Sequence, residues 1–189
     1  MDPYELRRQD FSLDEDQEAV RDAFAGFFAK ECTTSVVRAA EPVGHDPALW
    51  TKLVGMGAAS MALPEEVGGD GAGIVELGLV AEEMGRCLAP VPLLDHVVAT
   101  RLLAAAGTDP AHELVEQAVD GSRLLGLSLG PSAGPRLVTT AAVADSVVAL
   151  DGDRVVVLTT HSGRPHVGNQ ACLPYAWVDP GDRAAETRS

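Results

Sequence analysis

The amino-acid sequence predicts an α+β fold, in which an N-terminal all-α helical bundle precedes a small antiparallel β-barrel or sandwich domain. Over residues 1–120 the apolar residues recur at the three- and four-residue spacing of amphipathic helices. After Gly121 they gather in short β-branched runs bounded by Gly, Pro or Asp. Helices that precede strands, rather than alternate with them, are typical of an α+β protein. We therefore predict two domains, over residues 1–120 and 121–189.

Five helices are predicted in the first of these domains. Ser12 is a good N-cap, with Glu15 three residues later completing a capping box. Asp46 followed by Pro47 provides the start of a second helix, since Pro suits the first helical position. The other three helices are expected over these runs: 74–86, 93–106 and 109–119.

The strands are predicted from runs that are too short for helices. A hairpin is expected at Asp151-Gly152, because this dipeptide favours a two-residue turn between two β-branched runs. A weaker strand is expected at 176–178. The main strands are predicted over these segments: 124–129, 145–150 and 154–160.

Composition and charge restrict the classes of function. The chain has 189 residues, enough for one ordinary domain or two small ones, and 46% of them are hydrophobic. Its net charge of −14 argues against binding to nucleic acid or to an anionic membrane surface. It has no apolar run of membrane-spanning length and no signal-peptide pattern at its start. Three widely separated cysteines predict free thiols and a cytoplasmic location.

The most informative motif is a glycine-dense loop that opens directly into a helix. Residues 63–73 read LPEEVGGDGAG, and residues 74–86 read IVELGLVAEEMGR. Glycines permit positive φ and close backbone approach, and a helix start carries a partial positive charge. The loop is therefore compatible with an anion or cofactor site, or with a tight packing corner. It lacks the Lys-Ser/Thr pair of a phosphate-binding P-loop.

This motif resembles the PEE-GG-G loop and the VAEE-GR helix of the acyl-CoA dehydrogenase superfamily, flavoenzymes that desaturate acyl-CoA thioesters between Cα and Cβ. The residues WTKL at 50–53 resemble the family's W-x-x-L helix, and Ala144-Asp145 resembles the start of its AD-x-x-L-V strand. The resemblance is strongest over residues 46–100. It implies a helical domain and a middle β-domain. The family's catalytic Glu belongs to a C-terminal four-helix domain, so no catalytic residue is expected within these 189 residues.

The resemblance also implies FAD as the cofactor. The family's T-E-P-x-x-G-S-D loop corresponds to residues 129–135. Its W-I-T/S element has only a faint counterpart at 137–139, without the Trp and without the hairpin that precedes it in the family. Leu and Gly stand where the family usually has Thr and Glu, and a leucine side chain donates no hydrogen bond to the flavin. These losses weaken flavin binding by this chain alone. The predicted cofactor-binding residues are Leu129, Gly130, Ser132 and Thr139. The predicted acyl-binding residues are Leu93, Val97 and Leu127.

We therefore predict an FAD-dependent acyl-CoA dehydrogenase, or one subunit of a heteromeric enzyme, whose electrons pass to an electron-transfer flavoprotein. One alternative is a catalytically silent subunit that completes or stabilises a heteromer. Another is a related flavin monooxygenase or a thioester-binding module on the same scaffold. Five scattered histidines show no metal-ligand spacing, so no metal site is expected.

Overall fold

The computed structural model describes residues 12–129, 134–160, 164–179 and 185–188. The α-helices in these ranges are α1 (Glu15–Glu31), α2 (Thr34–Ala40), α3 (Pro47–Gly55), α4 (Ile74–Arg86), α5 (Leu93–Ala106) and α6 (Asp109–Val119). A short 3₁₀ helix spans Glu65–Val67. The strands are β1 (Leu125–Ser128), β2 (Arg136–Val138), β3 (Ser146–Asp151), β4 (Arg154–Thr159), β5 (Ala176–Val178) and β6 (Ala185–Arg188). No helix in the described ranges is long and apolar enough to cross a membrane.

The five predicted helices are confirmed, and the structure adds α2 as a sixth among the described residues. This helix has seven residues, fewer than the window over which apolar periodicity becomes visible. The start of α1 also differs from the prediction, because Asp14 rather than Ser12 is the N-cap. The Gln17 amide donates to the Asp14 carboxylate at 2.8 Å, and the Asp14 amide donates back to the Gln17 side chain at 3.2 Å. This capping box lies two residues after the predicted one.

The start of α3 is confirmed. The Leu49 amide donates to the Asp46 carboxylate at 2.8 Å, and Pro47 occupies the first turn. At the end of α5, Gly107 adopts the left-handed conformation with φ 62°, which a glycine accepts without steric cost. Both ends were readable from sequence because each depends on local backbone chemistry.

The strands form a four-stranded sheet in the order β1-β3-β4-β6 and a two-stranded sheet of β2 and β5. The predicted α+β class and the hairpin are confirmed, since Asp151 pairs with Arg154 across the β3–β4 turn. The sheet is mixed rather than wholly antiparallel, because β1 pairs with β3 in parallel. Between these two strands the chain passes through β2 in the other sheet, so it returns to the first sheet in the same direction. The described strands do not close a barrel.

Three hydrophobic cores hold these layers together. The first lies within the helical part and includes the fully buried Leu53 and Leu93. The second joins α5 and α6 to the larger sheet, with Leu103 packed in the same cluster as Val148. The third lies between the two sheets and contains Val138, Ala141, Ala142, Val147, Val156, Leu158, Ala176 and Val178. The second core thus includes residues on both sides of the predicted domain boundary near residue 120. The larger sheet packs directly on α5 and α6.

Candidate functional site

A cleft of about 550 Å³ lies between the helical part and the β part of the chain. Its helical wall comes from α2, the end of α4, the following loop and the start of α5. Its other wall comes from the turn after β2 and from residues 170–174. The apolar side chains of Met84, Leu88 and Leu94 line it. Its size and apolar walls are those of a small-molecule site.

One end of this cleft is polar. The Thr140 hydroxyl, which is 1% exposed, donates a hydrogen bond to the half-buried Asp95 carboxylate. Burial raises the pKa of the Asp95 carboxyl above its ordinary value, and the hydrogen bond from Thr140 opposes that rise. Thr139 lines the cleft beside this pair. The junction of α5 and the β2–β3 turn therefore places one carboxyl and two threonines on the cleft wall. Glu41 and Gln170 are further polar residues of the lining.

A glycine of the cleft lining brings the two walls into contact. Gly44, in the turn after α2, has φ 79°, and a Cβ atom added there would lie 2.0 Å from the Cys172 carbonyl oxygen. Only glycine permits this approach of two backbones. The segment that contains Cys172 is held to the β2–β3 turn, since the Ala142 amide donates to the Pro174 carbonyl at 3.0 Å. These contacts join the two walls.

His96 anchors α5 beneath the polar end of the cleft. Its ring is fully buried, and the Leu125 amide donates to Nδ1 at 3.2 Å. Because Nδ1 is the acceptor, Nε2 carries the proton and donates to the Ala118 carbonyl at 3.1 Å. Burial lowers the pKa of His96 to about 4, so the ring is neutral at pH 7. The Trp50 ring packs edge-on, with the ring centroids 4.9 Å apart.

Sequence reasoning did not single out His96 as a structural residue. Its only signal was its position inside the apolar run 93–106, where a lone histidine must find hydrogen-bond partners if the helix is buried. Those partners lie 22 and 29 residues away along the chain. The spacing of residues near His96 in the sequence does not identify these two partners.

The predicted acyl-binding residues do not line the cleft. Leu93 and Val97 are 0% exposed and belong to the helical core, whereas the neighbouring Leu94 and Asp95 line the cleft. Leu127 is half-buried on β1 and packs against the core shared by α5, α6 and the sheet. Their assignment to an acyl pocket stays a prediction.

Of the predicted cofactor-binding residues, Thr139 is the one in the described ranges that lines the cleft. Leu129 is 79% exposed just after β1 and is not among the cleft residues. Gly130 and Ser132 lie outside the described residues. Their roles toward a flavin stay predictions.

The glycine-dense loop is a packing corner away from the cleft. The Gly71 amide donates to the Leu63 carbonyl at 3.0 Å, and a Cβ atom at Gly69 would lie 2.1 Å from the same oxygen. Residues 68–73 contribute nothing to the cleft wall. Across the ranges with described coordinates, no three His, Cys, Asp or Glu side chains are placed to hold a metal ion.

Comparison with known proteins identifies the family. Residues 14–115, more than half of the chain, match the model of the acyl-CoA dehydrogenase N-terminal domain. The chain belongs to the acyl-CoA dehydrogenase superfamily. The resemblance inferred from the glycine loop and its helix is thereby confirmed.

Relatives and solved structures agree with this assignment. The chain is 32% identical over 173 residues to acyl-CoA dehydrogenase IpdE2 of Mycolicibacterium smegmatis, covering 89% of this chain and 53% of the relative. The ChsE4–ChsE5 complex from Mycobacterium tuberculosis is similar in structure, with a TM-score of 0.67, 29% identity, and coverage of 85% of this chain and 50% of that one. The Tcur3481–Tcur3483 steroid ACAD has a TM-score of 0.58 and 32% identity, covering 76% and 39%. The chain spans about half the length of the curated relatives it matches.

Proposed function

We propose that this chain forms the helical and β parts of an FAD-dependent acyl-CoA dehydrogenase that desaturates an acyl-CoA thioester and passes electrons to an electron-transfer flavoprotein. The observation that carries the proposal is the apolar cleft between these two parts, with Thr139 on its wall, in a chain of this superfamily. Small-molecule sites combine apolar walls with a few placed polar groups, and this cleft has that composition.

The residues of the cleft fit a flavin ring and an acyl chain. Met84, Leu88 and Leu94 offer apolar surface that excludes water from a bound acyl chain. Thr139 offers a hydroxyl that donates to a ring heteroatom. When bound, FAD supplies the hydride acceptor of the desaturation. The carboxylate of Asp95 accepts a hydrogen bond from Thr140. We assign no catalytic base to this chain, because the superfamily's catalytic Glu belongs to its C-terminal four-helix domain.

We further propose that the site is completed by a dehydrogenase-like subunit. Two of the similar solved structures are named as pairs of proteins, ChsE4–ChsE5 and Tcur3481–Tcur3483. In such an arrangement the second subunit supplies the catalytic base. This agrees with our assigning no base to the present chain. The second of these structures is named a steroid ACAD, and a cleft of about 550 Å³ has room for a fused-ring acyl group.

The second candidate function is a catalytically silent subunit that stabilises a heteromer. Leu129 favours it, because this residue stands where the superfamily usually has a threonine and is 79% exposed. A leucine side chain offers the flavin no hydrogen-bond donor. In this case the cleft serves assembly rather than catalysis.

The visible absorption spectrum of the purified protein separates these functions. Flavin absorbance in the chain alone supports the enzyme, and absorbance only after co-expression with a dehydrogenase-like subunit supports a shared site. Colourless protein in both preparations contradicts the enzyme proposal and supports the silent subunit. Thr139→Val is expected to reduce the bound flavin fraction, whereas Thr159→Val, at an exposed position of β4, leaves it unchanged. Titration with fused-ring and straight-chain acyl-CoA then tests the substrate class.

A further inference from the structure

Two of the three cysteines meet where α1 and α4 end. Cys32 is the C-cap residue of α1 and Cys87 is the C-cap residue of α4, although they are 55 positions apart in sequence. The Cys32 thiol donates to the Cys87 carbonyl oxygen, with 3.7 Å between the sulfur and the oxygen. Both helices pack side by side along their length. All three cysteines are free thiols.

The two thiols differ in access to solvent. Cys32 is 6% exposed, and burial together with the Cys87 thiol raises its pKa to about 12, so it stays protonated. Cys87 is half-buried at the edge of the helical core, with its Sγ atom 3.4 Å from the Met84 carbonyl oxygen. A solvent-borne oxidant therefore reaches Cys87 before Cys32. The Cys32 sulfur lies 3.7 Å from the backbone carbonyl oxygen of Cys87.

We propose that Cys32 and Cys87 form a hydroperoxide-reactive dithiol pair that closes to an intramolecular disulfide between the ends of α1 and α4. The Cys87 sulfur attacks a peroxide oxygen, the O–O bond breaks, and a sulfenic acid and an alcohol form. The Cys32 sulfur then attacks the sulfenic sulfur, and its proton leaves with the hydroxyl as water. Two thiols are oxidised and one peroxide is reduced. The proposal stands on the contact between these two residues and does not depend on the proposed dehydrogenase activity.

The pair lies at the edge of the cleft. Leu88, the residue after Cys87, is 74% exposed, has φ 54° and lines the cleft together with Met84 and Gly85. To bond with Cys32, the Cys87 sulfur must leave the carbonyl oxygens of Glu83 and Met84 that it contacts at 3.5 and 3.4 Å. The oxidation state of the pair thus changes the last turn of α4, which forms one wall of the cleft.

The test is oxidation of the folded full chain with tert-butyl hydroperoxide, followed by peptide mapping without reduction. We expect one disulfide that joins the Cys32 and Cys87 peptides, with Cys172 still titratable as a free thiol. Because the bond closes a long loop, the melting temperature should rise by roughly 5–15 °C and return to its starting value with dithiothreitol. The matched control Cys172→Ser, at an exposed position, should form the same disulfide. Cys87→Ser should form none and show no rise.

Three outcomes overturn the proposal. Cys87 oxidised to sulfinic acid with Cys32 still free shows that the buried thiol does not react with it. Dimers linked through Cys172 show that the exposed thiol is the reactive one. The same mixture of disulfides in native and urea-unfolded protein shows that the fold does not select the pair. The peptide map of the wild-type protein alone distinguishes these outcomes. The test therefore remains valid if a cysteine variant fails to fold.

Discussion

The Leu125 amide donates a hydrogen bond to Nδ1 of His96 at 3.2 Å, which links the first turn of α5 to the first strand of the larger sheet. The other ring nitrogen bonds to Ala118 at the end of α6. One neutral imidazole therefore satisfies a backbone donor on β1 and a backbone acceptor on α6. The residue before it, Asp95, faces the cleft, so this junction also sets the position of the cleft's polar end.

Replacing His96 with Leu should destabilise the fold without changing its class. The substitution leaves the Leu125 N–H buried without its acceptor, whereas the Ala118 carbonyl still accepts from the Gly121 amide at 3.2 Å. We expect a cost of about 1–3 kcal/mol in the free energy of unfolding. Urea denaturation followed by circular dichroism measures this loss. His112→Leu on the exposed face of α6 is the matched control and should change stability by less than about 0.5 kcal/mol. Equal stability of the two variants would refute the structural role of His96.

Lowering the pH should reduce the free energy of unfolding through the His96 ring. Folding lowers the pKa of His96 from its ordinary 6.5 to about 4, so the unfolded chain takes up this proton first as the pH falls. The free energy of unfolding should therefore decrease between pH 6.5 and pH 4, by about 3 kcal/mol in total. Urea denaturation at several pH values tests this, with His96→Gln as the variant that lacks the titrating group. Parallel pH profiles for the two proteins would contradict the assignment.

The raised pKa of Asp95 makes the free energy of unfolding change with pH in the opposite direction. A second variant removes this contribution. A carboxyl whose pKa is raised on folding contributes stability at low pH that is lost as the pH rises through its folded pKa. The comparison of wild type with His96→Gln should therefore be repeated in an Asp95→Asn background. The slope due to His96 should persist there.

Removing the Thr140 hydroxyl should raise the pKa of Asp95 further, because the hydrogen bond from Thr140 holds that pKa down. Thr140→Val should also cost about 1–2 kcal/mol in stability, since the carboxylate loses its donor. A carboxyl-carbon NMR titration of Asp95 measures the first effect and urea denaturation the second. Thr140→Ser, which keeps the donor, should restore the wild-type titration. An unchanged Asp95 titration in Thr140→Val would show that this hydrogen bond is not formed.

Gly44→Ala should destabilise the chain by roughly 2–4 kcal/mol. The added Cβ would meet the Cys172 carbonyl oxygen, and the positive φ of 79° disfavours any L side chain. Gly26→Ala is the matched control, because Gly26 lies on the exposed face of α1 with no atom within 4 Å of the added Cβ. That control should instead stabilise the chain by about 0.5–1 kcal/mol. Urea midpoints of the two variants should move in opposite directions.

Much of the secondary structure was readable because its signals are local. The bounds of α5 follow from an apolar run between Pro92 and Gly107, and the β3–β4 hairpin follows from Asp151-Gly152. Both depend on residues within a few positions of each other. By contrast, α2 was missed because seven residues show too little periodicity. The parallel pairing of β1 with β3 was missed because strand order depends on the path of the whole chain.

The candidate site was predicted less well than the fold. Leu93 and Val97 have the apolar character expected of an acyl pocket, yet the helix turns them into the core and turns Leu94 and Asp95 to the cleft. A rotation of about 100° per residue separates these outcomes. Apolar residues lie on every face of this helix, so its sequence does not specify which face is buried. Only packing against the other helices and the sheet selects the buried face.

By itself, the sequence determined the α+β class, the helix ends with capping residues, the hairpin and the superfamily, because each depends on short-range chemistry or on a continuous motif. Tertiary structure alone decided that the glycine loop is a packing corner, that His96 connects α5 to β1, and that Asp95, Thr139 and Thr140 meet in one cleft. The physical reason is that these contacts join residues far apart along the chain. Their hydrogen bonds and burial exist only once the helices and sheets have packed.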